Sequence, residues 1–535
     1  MSANLKVWPR SPDGLGMMPR APRRRLLAAG AARLTTTVAG PVLAVGPASA
    51  ATHSGTPLTQ TTVPTSTERH FLNRLGCGFS RGGYAALCDD GGAMPWFERQ
   101  LTPAKVPESA TALALPSWFP DMDEPPSAKW AKQSAGTKGG WEYAADFAGY
   151  SMLRQIYSDR QVLENMVGFW SHHLHVHADT DLGWVHRSSY DQMIRSHALG
   201  RFDDLLVAAT LHPAMLLHLD NWRSVRNAPH EDQGRDLLEL HTVGRHAGCT
   251  EAMVGDSARI LSGYTVDAQR SWDGFYDPAR HTTGPVQVLG FVSQNTSADG
   301  RRVTADYLRY LAHHPATAYN IADKLARHYV ADQPSAGLVS AVARAFHDSG
   351  TDIKTTLRAL VAHPDFAAAK GRLVRTPIED FVATCRVLDV AVRKPTTDQS
   401  FARSCVWVPQ TTLLYQGPRP DGLPLGDAPW SSATRMLRLF RMHWNLTAGW
   451  WPTVDVAYRT SESWLPQPRI RFDGYVDHLC RMLLGKASNP GIVSAAVAAT
   501  GYGPATVVTK DHALSTWLFV RLVGVLLDSP DHMRR

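Results

Sequence analysis

Asn227-Ala-Pro-His-Glu-Asp-Gln-Gly-Arg-Asp-Leu-Leu-Glu-Leu-His-Thr-Val-Gly244 reads as one helix of about four turns, with Pro229 near its start and Gly244 at its end. At 100° per residue, Glu231, Arg235, Glu239 and Thr242 share a narrow arc, with Asp232 and Asp236 beside it. Leu237, Leu238, Leu240 and His241 fall opposite, on the side that faces a core. Four carboxylates around one guanidinium make an unusual polar face. If it lines a cleft, crowding raises the carboxylate pKa values and one group becomes a general acid. If it is wetted, it is an ion-pair ladder that contributes little.

Outward from this stretch the chain keeps a helical rhythm. Trp141 to Met166, continuing to Trp170, and Tyr190 to Thr210 show helical apolar spacing. Four Leu/Ala-rich segments end in a polar residue and proline, at Pro213, Pro315, Pro364 and Pro530. Each marks a helix–helix corner, because proline suits a first turn and restrains the residue before it. Strand signals are few, and Val286–Val292 and Val406–Tyr415 are the best candidates. The expected fold is mainly α, a multi-helix globular array with few short strands and long Pro/Gly-rich loops.

The chain has 535 residues, 44% hydrophobic and 19% charged, enough for a sizeable core. The formal charge of +7 comes without a dense basic run interleaved with aromatics, which argues against nucleic-acid binding. Six cysteines form no C-x-x-C pair; Cys77 and Cys88 are close enough in sequence to close a small disulfide loop. Arg23-Arg-Arg-Leu-Leu27, an apolar run to Val45 and Ala48-Ser-Ala50 read as a secretory signal, with cleavage expected after Ala50. Its paired arginines resemble the twin-arginine export signal. The expected organisation is an export signal over 1–50, a flexible leader over 51–69 and a principal helical domain over 70–392. A long loop or linker over 393–430 and a C-terminal helical segment over 431–535, packing on the main domain, complete it. No other segment carries the ~18 apolar residues of a membrane span.

In order along the chain, His70-Phe-Leu-Asn-Arg-Leu-Gly76, Phe169-Trp-Ser-His-His173, Ile194-Arg-Ser-His-Ala-Leu-Gly200 and Gly234-Arg-Asp-Leu-Leu-Glu-Leu-His-Thr-Val-Gly244 carry a family likeness. His281-Thr-Thr-Gly-Pro285 and His314-Pro-Ala-Thr-Ala318 with Lys324-Leu325 extend it. Together they resemble the bacterial "domain of unknown function 1800" family, from about residue 70 to the C-terminus. The resemblance implies an exported, largely helical protein without an agreed activity, often encoded beside a second exported family. The chain departs from the family at His230, Asp232 and Asp236, at His172, at Thr282 and at Val286, where the family usually has other residues.

The candidate site follows. Glu231, Glu239, Arg235 and His281 are expected to be catalytic, the carboxylates and imidazole as acid and base. Arg195, Trp170, Asn221, Asp236 and His230 are expected to bind substrate. His173, His175 and His177 alternate, so an extended segment would present them on one side, and His173 with His175 could hold a divalent metal. His241, on the apolar face, is expected to be a core histidine. The leading expectation is an exported enzyme that cleaves an extracytoplasmic polymer, most naturally a polysaccharide, by hydrolysis or elimination. Paired acids and sixteen tryptophans suit sugar chemistry. The other readings are a metal-binding or redox protein folded before export, and a non-catalytic envelope protein that binds the second exported protein.

Overall fold

In the computed structural model, residues 50–55, 58, 62–179, 182–417 and 419–535 are described. The segment read as an export signal, 1–50, lies outside them apart from Ala50. The Asn227–Gly244 stretch is not one regular helix. Asp232–Asp236 is α-helical, and Leu237–His241 continues as a π-helical turn. The turn wraps where Gly234 touches the Glu251–Leu261 helix: a Cβ there would stand 2.9 Å from Ala258 N and 3.0 Å from Val254 O. Leu237, Leu238, Leu240 and His241 are buried, as the periodicity requires.

Of the described residues 57% are helical, and the described strands are two to four residues long, so the class is mainly α. The helix read over Trp141–Trp170 is two, Gly140–Tyr157 and Gln161–His173, and that over Tyr190–Thr210 is also two, Arg187–His197 and Phe202–Thr210. The second break lies at Gly200, where Gly200 O and Phe202 N bond to Ile353 N and Thr351 O. Val286–Val292 divides into a hairpin, Val286–Val288 with Phe291–Ser293. Val406–Tyr415 is no strand: Cys405–Trp407 is a 3-10 turn, and Gln410 and Tyr415 have φ of 50° and 61°. Its apolar side chains enter the core one at a time from a loop. Ala51–His53, read as leader, pairs in parallel with Val456–Arg459, and a helix starts at Ser66. Cys77 and Cys88 are free thiols, Cys88 lying near the end of the Arg81–Asp89 helix.

Residues from Ser49 to Arg535 form one unit. Pro315–Tyr329 packs on Ala336–Asp348, which packs on Ile353–Ala362. The Pro377–Val387 helix lies between Gly140–Tyr157 and the C-terminal Ala433–Ala448 helix, so one apolar core includes both halves of the chain. No described helix is long and apolar enough to cross a membrane.

Candidate functional site

A cavity of about 390 Å³ opens where the Gln161–His173 and Pro315–Tyr329 helices meet the Pro377–Val387 helix and the loop around Arg419. Its wall carries His172, His173, Lys324 and His328, with Glu379, Asp421 and several arginines. Lys324 and His328 are four residues apart on one helix and so share a face.

The contacts of Lys324 define the site. Its Nζ donates to Leu240 O at 2.9 Å and to His173 Nδ1 at 3.0 Å. His173 Nε2 lies 3.0 Å from His241 O, a carbonyl that can only accept, so Nε2 carries the proton and Nδ1 the lone pair. Burial, then the Lys324 charge, holds His173 well below the usual imidazole range, so it stays neutral. Burial also brings Lys324 down to about 8, against weak support from Asp421 and Asp323. The Asn227–Gly244 stretch therefore serves the site through its backbone. The π-helical turn presents the carbonyls of Leu240 and His241, and Thr242 O accepts from Asn320 Nδ2 at 2.6 Å. π-helical turns recur at functional positions because they free carbonyls from the helical ladder.

The polar face points the other way. Arg235 makes its shortest ion pair with Glu251, at 2.5 Å, and stands 3.4 Å from Glu239 and 4.0 Å from Glu231. The side chains of Glu231 and Glu251 are 53% and 78% exposed, which makes this the wetted ladder. None of these residues lines the cavity. Asp236, beside them, is half-buried, and burial raises its carboxyl to about 6. His230 is 3.7 Å from Asp232 at the surface.

His281 is fully buried elsewhere. Its Nδ1 faces Ser262 O at 2.8 Å and its Nε2 faces Asn295 Oδ1 at 2.8 Å. Gly300 packs against the ring so closely that a Cβ there would overlap it. Trp170 donates to Ala198 O at 3.0 Å and stacks on Phe202 in the core. Asn221 donates to Leu261 O and Tyr264 O, fastening two segments. Arg195 bonds Glu164 at 2.7 Å, and Glu164 also takes Arg154 at 2.7 Å. Burial would raise the Glu164 carboxyl, but Arg195 and Arg154 outweigh it and hold it low.

The helix reaches His173, so the histidines do not alternate along an extended segment. Both nitrogens of His173 are engaged. The His175 ring turns toward His177 and His218, with ring centroids 6.0 and 6.1 Å away. His241 is the buried core histidine expected.

Of the candidate residues, His173 alone lines the cavity. Lys324 and His328 received no role from the sequence. A lysine followed four residues later by histidine on an amphipathic helix was the available signal, and it is a weak one.

A mainly α protein with a neutral imidazole–lysine pair at the wall of a cavity is the class that fold and site define. The chain belongs to the family described as "Protein of unknown function (DUF1800)", whose model matches residues 70–534. No curated protein and no solved structure matches it significantly.

Proposed function

We propose that the protein is an exported enzyme that cleaves an extracytoplasmic polysaccharide within the cavity, by elimination from an acidic sugar with Lys324 as the base. The observation that carries this reading is the Lys324 amine, brought to about 8 at the wall of a cavity and hydrogen-bonded only to neutral acceptors. A lysine so tuned has a neutral fraction near physiological pH and can take a proton from carbon next to a carboxylate. As the C–H bond breaks, its electron pair forms the new carbon–carbon double bond and the glycosidic C–O bond is released. The leaving oxygen then receives the proton back from the Lys324 ammonium. Arg327, Arg375 and Arg419 on the same wall suit a sugar carboxylate, and about 390 Å³ holds one or two sugar units. The acid–base role expected of Glu231 and Glu239 moves with this reading to Lys324.

The test is a screen of uronic-acid and neutral polysaccharides, followed by the ultraviolet absorbance of an unsaturated product. The rate should rise with pH through about 8. Lys324→Met should lower kcat by at least 100-fold, whereas Glu231→Gln and Glu239→Gln should leave it within twofold. A Lys324→Met variant that folds and keeps its rate rules the mechanism out.

One observation favours the binding reading. Leu437, Phe440 and Trp450, on and just after the Ala433–Ala448 helix, are 68%, 38% and 49% exposed, a surface suited to the second exported protein. Co-purification of that protein, with no turnover on any glycan, would support it.

A further inference from the structure

Asp380, His443 and His532 come from three helices, Pro377–Val387, Ala433–Ala448 and Pro530–Met533. One ligand atom of each lies within 4.8 Å of the other two, and all three side chains are buried. Among the described residues no other group of histidine, cysteine, aspartate or glutamate converges in this way. Asp380 Oδ1 is 2.8 Å from His443 Nε2 and 3.6 Å from His532 Nε2. Ligand atoms about 2.0–2.1 Å from one tetrahedral ion stand about 3.3–3.5 Å apart, so these two separations bracket what an ion needs.

Two further observations point to a ligand. Asp380 Oδ2 is buried and has no hydrogen-bond partner, its nearest cation being Arg435 Nη2 at 3.9 Å. An unpartnered carboxylate oxygen beside two imidazoles is costly to bury and is the donor a cation would take up. On the far side of the His443 ring, Nδ1 donates to Asp528 Oδ1 at 2.6 Å. A carboxylate behind the ring is what orients a metal-bound histidine and raises its basicity. His443 Nε2 donates to Asp380 Oδ1 and His532 Nε2 is 2.9 Å from Thr384 Oγ1, so an ion would take the place of the proton on His443 Nε2 and of the Thr384 contact.

We propose that Asp380, His443 and His532 bind one divalent transition-metal ion of the zinc class, with Asp528 positioning His443. Two imidazoles and one carboxylate form the mixed nitrogen–oxygen set that zinc accepts. Ions that prefer all-oxygen shells, such as calcium, are disfavoured. The ion would join the Pro377–Val387 helix to the C-terminal segment. Its place is separate from His173 and His175, and the proposal does not depend on the polysaccharide reading.

The test uses the full chain, purified without chelator, with elemental analysis of the folded protein. The expected result is about one equivalent of zinc, or of another first-row divalent ion, per chain. Stripping with a chelator should lower the melting midpoint by about 5 °C, and zinc chloride should restore it. Cobalt(II) added to stripped protein should give the visible absorption of a four-coordinate site. His532→Cys should keep the metal and add a sulfur-to-cobalt charge-transfer band, while Asp380→Asn should lose the metal and His173→Ala should keep it. A folded wild-type chain that holds no metal, with a midpoint unmoved by zinc, overturns the proposal. So does equal zinc in a folded Asp380→Asn variant. The wild-type measurement decides the matter even where a variant does not fold.

Discussion

Glu164 and Glu231 carry the same carboxylate in opposite surroundings, and the difference decides what each can do. Glu164 is buried between Arg154 and Arg195, so Glu164→Ala takes the shared carboxylate from both guanidiniums, leaving Arg154 only Glu108 and Arg195 only Asp191 as ion-pair partners. That should cost about 3–5 kcal/mol in denaturant unfolding. Glu231, exposed on the ladder, should change stability by less than about 0.5 kcal/mol when made Gln. Asp236 adds a pH-dependent case. Burial raises its folded value to about 6, with His218 opposing the shift, whereas the unfolded chain titrates near 3.9. Below about pH 4 both states hold the proton and folding loses nothing. Between about 4 and 6 the unfolded state releases its proton first, so stability falls as pH rises and stays reduced above 6. Asp236→Asn removes this dependence. Its stability advantage over the wild type should open across that window and level off at neutral pH. The advantage should be on the order of 1 kcal/mol, less than the full shift implies because the side chain keeps some solvent contact. Unfolding at pH 4 and pH 7 measures it, and an equal difference at both would refute the assignment.

At the scale of the element, the proline corners were legible because proline's restriction of its own and the preceding residue is local to the chain. What the pattern did not disclose is the work of the preceding histidine. His212, His314 and His363 each accept, through Nδ1, the backbone N–H two residues on, at 3.1, 3.1 and 3.3 Å, and so cap the next helix. The cap needs the lone pair of a neutral ring, and burial holds His314 and His212 below the usual range. His314→Ala should therefore cost about 1 kcal/mol by chemical denaturation, and His314→Asn should recover most of it because an amide oxygen makes the same bond. Failure of Asn to rescue would mean that ring packing matters more than the cap. The organising helix was harder to read. Its apolar face followed from periodicity, but the π-helical turn that follows Gly234's close approach to the Glu251–Leu261 helix is something a periodicity cannot express. The same turn directs the Leu240 and His241 carbonyls into the site, and backbone groups leave no signature in residue identity. Sequence therefore drew attention to the carboxylates, which face solvent, and passed over Lys324, whose significance comes from burial alone.

For the whole molecule, the mainly α class and the family were legible because many local signals agree across the chain. The cavity was not, since its wall draws on segments from Asn73 to Arg535 that meet only after folding. The joint between the C-terminal segment and the rest was equally hidden. Leu373 N and Arg375 N bond to Arg535 O and Met533 O, and the buried Arg375 guanidinium donates to His532 O and Asn73 Oδ1. Asp380 meets His443, and the Ala433–Ala448 helix brings Leu439, Met442 and Leu446 into the common core. Removing residues 393–535 would take the histidine partners from Asp380 and the His532 carbonyl from Arg375, and expose an apolar face on the Pro377–Val387 helix. Buried charge without compensation is more costly than a single domain's margin of about 5–15 kcal/mol readily tolerates. A fragment of residues 70–392 should therefore fail to give a cooperative thermal transition, whereas the intact chain should melt in one step. Far-ultraviolet circular dichroism and tryptophan fluorescence should then trace the same curve, because tryptophans such as Trp96 and Trp464 lie in both parts of the shared core. Two separated transitions in the intact chain, or a cooperative melt of the fragment, would show that the joint is a contact between independent domains and that the cavity between them can open.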